Sequence, residues 1–388
     1  MFSSAHYFGK EGNTMKKHIS RLLSLLLFDA FVVMLFPAFA VPASAASPDN
    51  VVKRLQRMKE KYPDGHYWNH YVSEPAEAGD VLYNSGDERF AESTSSERSC
   101  DYHGQASAKY YVGKRDCNYF DGGMQCVGFA RRVFYEVFDG HRCSGLTHRK
   151  DKENIQPGDY VRFAFHENDV YGHSVIVTEV NGTKIKVVEC NSGGNCRISW
   201  GGEYDLNVGV PAVGGGNYPF SYFCHADNYD EVNNLDVDFY AELYYPHGGC
   251  NLRSKNGNVE LAAASNGFDP AAIWHFVWTP EGYEITNLQD WNCLDAAGRG
   301  TEPGTNIQTY EDNDTPAQRW ILHRDSGGRE NCYNLAASYS TSLVLDVYWE
   351  SKTPGTNVQL FTSKSNAAQA FELRRNDNIE AIRGMILK

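Results

Sequence analysis

Residues 295–320 read DAAGRGTEPGTNIQTYEDNDTPAQRW, and residues 346–371 read DVYWESKTPGTNVQLFTSKSNAAQAF. The two stretches keep one spacing. An aspartate (Asp295, Asp346) is followed eleven residues later by Asn-x-Gln (Asn306 to Gln308, Asn357 to Gln359), with Pro-Gly-Thr just ahead of it. An aromatic residue, Trp320 or Phe371, stands fourteen residues beyond each asparagine. A weaker copy carries Gly257-Asn258-Val259-Glu260-Leu261 and Trp274. Self-similarity at a period of roughly 45–50 residues marks a repeat architecture, in which each unit buries its apolar face against its neighbours. The three copies predict one repeat unit over residues 240–388.

The repeats also carry side chains suited to a sugar, which offers hydroxyls and an apolar C–H face. An aspartate accepts from hydroxyls, a glutamine both donates and accepts, and an aromatic ring covers the apolar face. Asp295, Gln308 and Tyr310 supply this set in the second repeat, and Asp346, Gln359 and Phe361 in the third. The first repeat has His247 where the spacing calls for aspartate, so no sugar site is expected there. The alternative is that the repeats serve only as a scaffold. Gln318-Arg319-Trp320 and its variant Gln369-Ala370-Phe371 resemble the Gln-x-Trp motif of ricin-B-type β-trefoil lectins. The resemblance implies an all-β trefoil of threefold-related four-stranded units, with Trp320 and Phe371 in the shared core, that binds carbohydrate.

Upstream the texture changes. Residues 122–138, GGMQCVGFARRVFYEVF, place Val127, Ala130, Val133, Phe134, Val137 and Phe138 at helical spacing, with a Gly-Gly pair before and Asp139-Gly140 after. A helix is also expected over Val51 to Tyr62. Short strands are expected over Tyr160–Phe165, His173–Val180, Lys184–Glu189 and Arg197–Trp200, with a hairpin at Asn181-Gly182. One helix followed by a strand meander indicates an α+β domain. Cys126 falls in the first turn of the central helix, where backbone N–H groups and the dipole favour a thiolate. His173 opens a strand and can carry the proton. Glu189 and Asn191 lie two apart across the hairpin, so either can face His173 and orient it, while Cys190 points away.

Gln125-Cys126 opening a helix, Pro157-Gly158-Asp159, Gly172-His173-Ser174-Val175, and Glu189-x-Asn191 sixteen to eighteen residues after the histidine resemble the CHAP family of cysteine, histidine-dependent amidohydrolases and peptidases. The resemblance spans about residues 100–205. It implies a papain-like α+β fold and cleavage of amide bonds in bacterial peptidoglycan. The expected domains are a leader over 1–45, a CHAP-like hydrolase over 46–235 and the trefoil over 240–388. The set calls for no cofactor and no metal.

The remaining features bound the setting. Residues 15–45 have a basic start at Lys16, Lys17 and Arg21, an apolar run from Leu22 to Phe36, and Ala43-Ser44-Ala45, the pattern of an export signal with translation beginning at Met15. Export predicts a secreted, surface-associated monomer with no integral membrane segment in the mature chain. The ten cysteines can then pair, and Cys100 with Cys117 and Cys190 with Cys196 are the nearest couples. The net charge of −13 argues against a nucleic acid partner. The expected partner is peptidoglycan or another glycan or glycopeptide. Two other outcomes stay open at this point: an inactive carbohydrate-binding adhesin, and acyl transfer to an amine in place of water.

Overall fold

Val51, Leu55 and Met58 recur at helical spacing and build α1 (Asn50–Lys61), whose first turn is capped by the Asp49 carboxylate accepting from the Val51 N–H. The computed structural model describes residues 49–68, 119–192, 196–212, 214–265, 267–378, 381, 382 and 384. The expected leader and the Cys100 and Cys117 pair lie outside the described residues. Among the described residues no helix is long and apolar enough to cross a membrane.

A two-residue-strand hairpin, β1 (Tyr119–Phe120) and β2 (Gly123–Met124), leads directly into α2 (Gln125–Val137). The apolar face of α2 buries Phe129, Ala130, Val133, Phe134 and Val137. It packs on a five-stranded antiparallel sheet in the order β6-β5-β4-β3-β9. The strands are β3 (Tyr160–Phe163), β4 (His173–Asn181), β5 (Lys184–Cys190), β6 (Ile198–Asp205) and β9 (Phe220–Cys224). Two short strands, β7 (Val210–Pro211) and β8 (Asn217–Tyr218), pair beside them. Gly182, at φ 61°, turns the β4–β5 hairpin as the Asn-Gly signal requires. Strand β6 runs five residues past the expected Trp200, and β9 was not foreseen. Trp68 is fully buried. Its ring packs edge-on to Phe129 at 5.7 Å, and a Cβ at Gly128 would come within 2.9 Å of it. This close approach explains a glycine within the helix.

The second sheet has twelve strands. They are β10 (Asp238–Tyr245), β11 (Cys250–Lys255), β12 (Asn258–Ala263), β13 (Ile273–Thr279), β14 (Gly282–Asn287), β15 (Cys293–Ala296), β16 (Ile307–Tyr310), β17 (Trp320–Arg324), β18 (Cys332–Ala337), β19 (Ser340–Val347), β20 (Val358–Thr362) and β21 (Phe371–Arg375). In each repeat the first and fourth strands pair: β10 with β13, β14 with β17, β18 with β21. The pairs β13–β14, β17–β18 and β21–β10 close them into a ring. The middle strands form three hairpins over one end of it. Trp274, Trp320 and Phe371 are fully buried, as the resemblance implied for the last two. The repeated asparagines meet where the hairpins converge. Asn306 donates to Asn258 (3.0 Å), Asn258 to Asn357 (2.9 Å), and Asn357 to Asn306 (2.9 Å). This closed ring satisfies three half-buried amides at once, with asparagine in all three copies.

Residues Pro48–Lys388 form one compact unit, within which α1 packs on both α2 and β13. Arg54 on α1 is fully buried. Its guanidinium pairs with Asp139 at 2.8 Å, donates to the Val137 carbonyl at 2.8 Å, and stands 4.7 Å from the Trp278 ring centroid of the trefoil. Arg57 donates to the Trp278 carbonyl at 2.8 Å.

Candidate active site

Three strands and one helix terminus converge on Cys126. It is the second residue of α2, reached through Gln125 at φ 52°, a left-handed turn that points the chain from β2 into the helix. His173 is the first residue of β4, and β5 lies against β4 in antiparallel register, with Val175 opposite Glu189. The result is a hydrogen-bonded row. Glu189 Oε2 lies 2.5 Å from His173 Nε2, which leaves Nδ1 as the nitrogen for the Cys126 sulfur. Cys126, His173 and Glu189 are all buried.

The electrostatics follow from that row. Burial opposes charge on the sulfur, yet the hydrogen bond and charge of His173, the charge of Arg162 and the Ser174 backbone N–H bring the Cys126 thiol below its usual range. Burial likewise works against a charged imidazole, but Cys126 and Glu189 hold His173 up, to about 9. Both shifts favour the same state, a thiolate beside an imidazolium. Tyr204, on β6, donates to both Glu189 oxygens at 3.1 and 2.8 Å. Tyr204 carries no motif and was missed in the sequence. Gly202 leaves room for the same carboxylate, since a Cβ there would sit 2.6 Å from Glu189 Oε1.

Asn191 needs a correction. It was read as an alternative to Glu189 because residues two apart on a strand share a face. Strand β5 ends at Cys190, and Asn191 turns left-handed at φ 71°, so the alternation stops before it. Its Nδ2 donates to Gln125 Oε1 at 2.9 Å, and its Oδ1 accepts from the Cys196 N–H at 2.9 Å. Asn191 therefore fixes the Gln125 amide beside Cys126, and Glu189 alone orients the imidazole.

In the trefoil, Gln308 Nε2 donates to Asp295 Oδ1 (2.9 Å) and Gln359 Nε2 to Asp346 Oδ1 (3.0 Å), so the spacing brings each pair together. Gln369 Nε2 adds a bond to Asp346 Oδ2 at 3.0 Å. Burial pushes both aspartate carboxyls up, and the glutamines draw them partly back. The two aromatics differ: Tyr310 is exposed, whereas Phe361 is half-covered, with Lys364 Nζ 4.5 Å from its ring centroid. An exposed ring stands close by in the chain instead. Trp349, three residues after Asp346, is 82% exposed at φ 54°, where the second repeat has Gly298 at φ 62°. His247 of the first repeat pairs with Glu350 at 3.7 Å.

One group of metal-type side chains gathers in the second repeat. Glu284, Cys293 and Asp312 bring ligand atoms within 4.8 Å of one another. Arg319 already pairs with Glu284 at 3.2 Å, and burial, with both carboxylates adding, pushes the Cys293 thiol up to about 12.

Residues 115–191 match the CHAP domain model, and residues 270–361 match the model of the ricin-type beta-trefoil lectin domain-like family. The chain thus carries a CHAP domain followed by a ricin-type β-trefoil lectin domain. Similar solved structures include the designed threefold-symmetric protein ThreeFoil (26% identity, 35% of this chain and 99% of that one, TM-score 0.33). Another is the Macrolepiota procera ricin B-like lectin in complex with lactose (18% identity, 37% and 99%, TM-score 0.33). A third is the C-half of the earthworm R-type lectin in complex with GalNAc (16% identity, 36% and 99%, TM-score 0.29). No curated protein matches the chain.

Proposed function

We propose that this protein is a secreted, monomeric cysteine hydrolase that cuts amide bonds in bacterial peptidoglycan, with its trefoil holding glycan. The observation that carries the reading is the row Glu189–His173–Cys126 at the N-terminus of α2, poised as an ion pair. An ionised sulfur attacks a carbonyl, whereas a neutral thiol does so poorly. The same observation favours an enzyme over an adhesin that has lost its activity.

The chemistry would run in two halves. The Cys126 sulfur gives an electron pair to the carbonyl carbon, and the C=O π pair moves onto oxygen. The backbone N–H of Cys126 and the helix terminus face that developing charge. His173 passes its proton to the amide nitrogen as the C–N bond breaks, which releases an amine and leaves an acyl group on sulfur. Water then gives a proton to His173 as its oxygen adds to the acyl carbon. The C–S bond breaks, the product leaves as the carboxylic acid and gives its proton to solvent, and thiolate and imidazolium are restored. Glu189 holds the ring and favours its charged form throughout.

Digestion of purified peptidoglycan, with products mapped by mass, tests the proposal. New amines and new carboxylates should appear in equal number. New reducing sugar ends without amines would contradict it. Gly202→Ala offers a finer check, because its Cβ would displace the Glu189 carboxylate without touching sulfur or imidazole. Hydrolysis should fall by about 10²-fold, the cost of roughly an ångström of misplacement. Unchanged kinetics would mean that Glu189 does not orient His173.

A further inference from the structure

Among the described residues, only Glu284, Cys293 and Asp312 bring three metal-type ligand atoms within 4.8 Å of one another. Strand register explains the meeting. Cys293 opens β15 between two cross-strand partners, Thr286 on β14 and Tyr310 on β16. Glu284 is two residues from Thr286, on the same face of β14, and Asp312 follows two residues after Tyr310 as the chain leaves β16. Cys293 is fully buried, Glu284 buried and Asp312 half-buried. The Cys293 sulfur has one hydrogen-bond partner among the described residues, Thr286 Oγ1, at a long 3.9 Å. A buried thiol thus stands against two carboxylates with little else to satisfy it.

The related positions in the other repeats show how the fold fills this place without a ligand. Trp274 Nε1 donates to the Leu252 carbonyl at 3.1 Å, and Trp320 Nε1 to the Leu294 carbonyl at 2.9 Å, so Asn251 corresponds to Cys293. Ala241 pairs with Trp274 as Tyr283 pairs with Trp320, so Glu242 corresponds to Glu284. In the first repeat Glu242 Oε1 accepts from Asn251 Nδ2 (2.8 Å), from the Gly267 N–H (2.9 Å) and from the Ser265 hydroxyl. The third repeat has Asn334 and Val344 at the two positions, with no charge at either. The second repeat keeps the carboxylate, exchanges the amide donor for a thiol and adds a second carboxylate. Such a set is costly unless a cation joins it. Arg319 supplies one positive charge, 3.2 Å from Glu284, and shares it with the exposed Asp314 at 2.5 Å. With the sulfur ionised, three negative charges stand against that one, which leaves the two of a divalent cation. We propose that Glu284, Cys293 and Asp312 bind a borderline-soft divalent cation, zinc by the mixture of thiolate and carboxylate, at a site that ties β14, β15 and the chain after β16 together. Binding forms the metal–sulfur bond and releases the thiol proton to solvent. Tetrahedral zinc sets its ligand atoms about 3.4–3.6 Å apart at the usual bond lengths, so the trio closes by roughly an ångström, with Asp312 the half-buried member that moves. The fourth position is left to water.

Cadmium, which reports a bound thiolate by an ultraviolet charge-transfer band, is the first probe. It is titrated into the full chain carrying Cys126→Ala, so that the catalytic row cannot take it. One equivalent should bind with the band, and about one proton should be released per metal near pH 7. Cys293→Ser should abolish the band, and Asp312→Asn should weaken binding by about tenfold or more. Zinc should raise the melting midpoint of the parent as its concentration rises, and leave that of the Cys293→Ser variant where it was. X-ray absorption on the zinc-loaded parent should show one sulfur at about 2.3 Å among oxygens at about 2.0–2.2 Å, a readout that needs neither ligand variant to fold. No band, a band that survives Cys293→Ser, or a zinc shell with no sulfur or with two would each overturn the inference. None of these readouts depends on hydrolysis, so the site stands or falls apart from the reading of Cys126.

Discussion

His173→Ala is expected to lower kcat/KM for amide cleavage by about 10³–10⁴-fold, the range of a proton-transfer group that also ionises its nucleophile. The wild-type profile should be bell-shaped. Its alkaline limb falls near pH 9, where His173, held up by Cys126 and Glu189 against its burial, loses its proton. The acid limb lies below the ordinary thiol range, where the sulfur regains its proton. The same linkage touches stability. The folded imidazole binds its proton more tightly than the unfolded one, so its contribution is complete below about pH 6.5 and disappears as pH climbs through about 9. Stopped assays across pH 5–10 on both proteins check this. A wild-type profile that loses activity below pH 7.5 only as an unperturbed thiol would, with no limb near 9, contradicts it.

Arg54→Ala is expected to destabilise the fold by about 3–5 kcal/mol, the cost of stranding one half of a buried ion pair. Asp139 would be left buried, with only Trp278 Nε1 at 3.4 Å to serve its Oδ1. The loss also removes the cation from the Trp278 face and the donor from the Val137 carbonyl. Removing both charges should cost far less than removing one. Asp139 sits at φ 51°, which asparagine tolerates, so Arg54→Met with Asp139→Asn is the right double variant. Denaturant melts of the three proteins decide the matter. A single variant within about 1 kcal/mol of wild type would show that Arg54 is not the joint between the two sheets.

The trefoil was legible because its repeats tie spacing to geometry. The same asparagine and aromatic recur, and their places in the ring and the core follow from one another. Cys126 and His173 were legible because a helix start and a strand start each leave a mark in the sequence. Glu189 could not be separated from Asn191, since the choice depends on where β5 ends, a matter of one residue. Tyr204 left no signal, because a tyrosine late in a strand looks like any surface aromatic. The Arg54 joint was invisible because its partners lie about 80 and 220 residues along the chain, and only the folded state brings a lone arginine on an amphipathic helix to them.

Whether the sulfur of Cys126 performs the cleavage is decided most directly by digesting purified bacterial walls with the wild-type protein and with Cys126→Ala, both folded and at equal concentration, and measuring the amines released. The wild type should release them steadily, and the variant no faster than buffer, although it still sediments with the walls through its trefoil. Equal release by both would place the catalyst elsewhere.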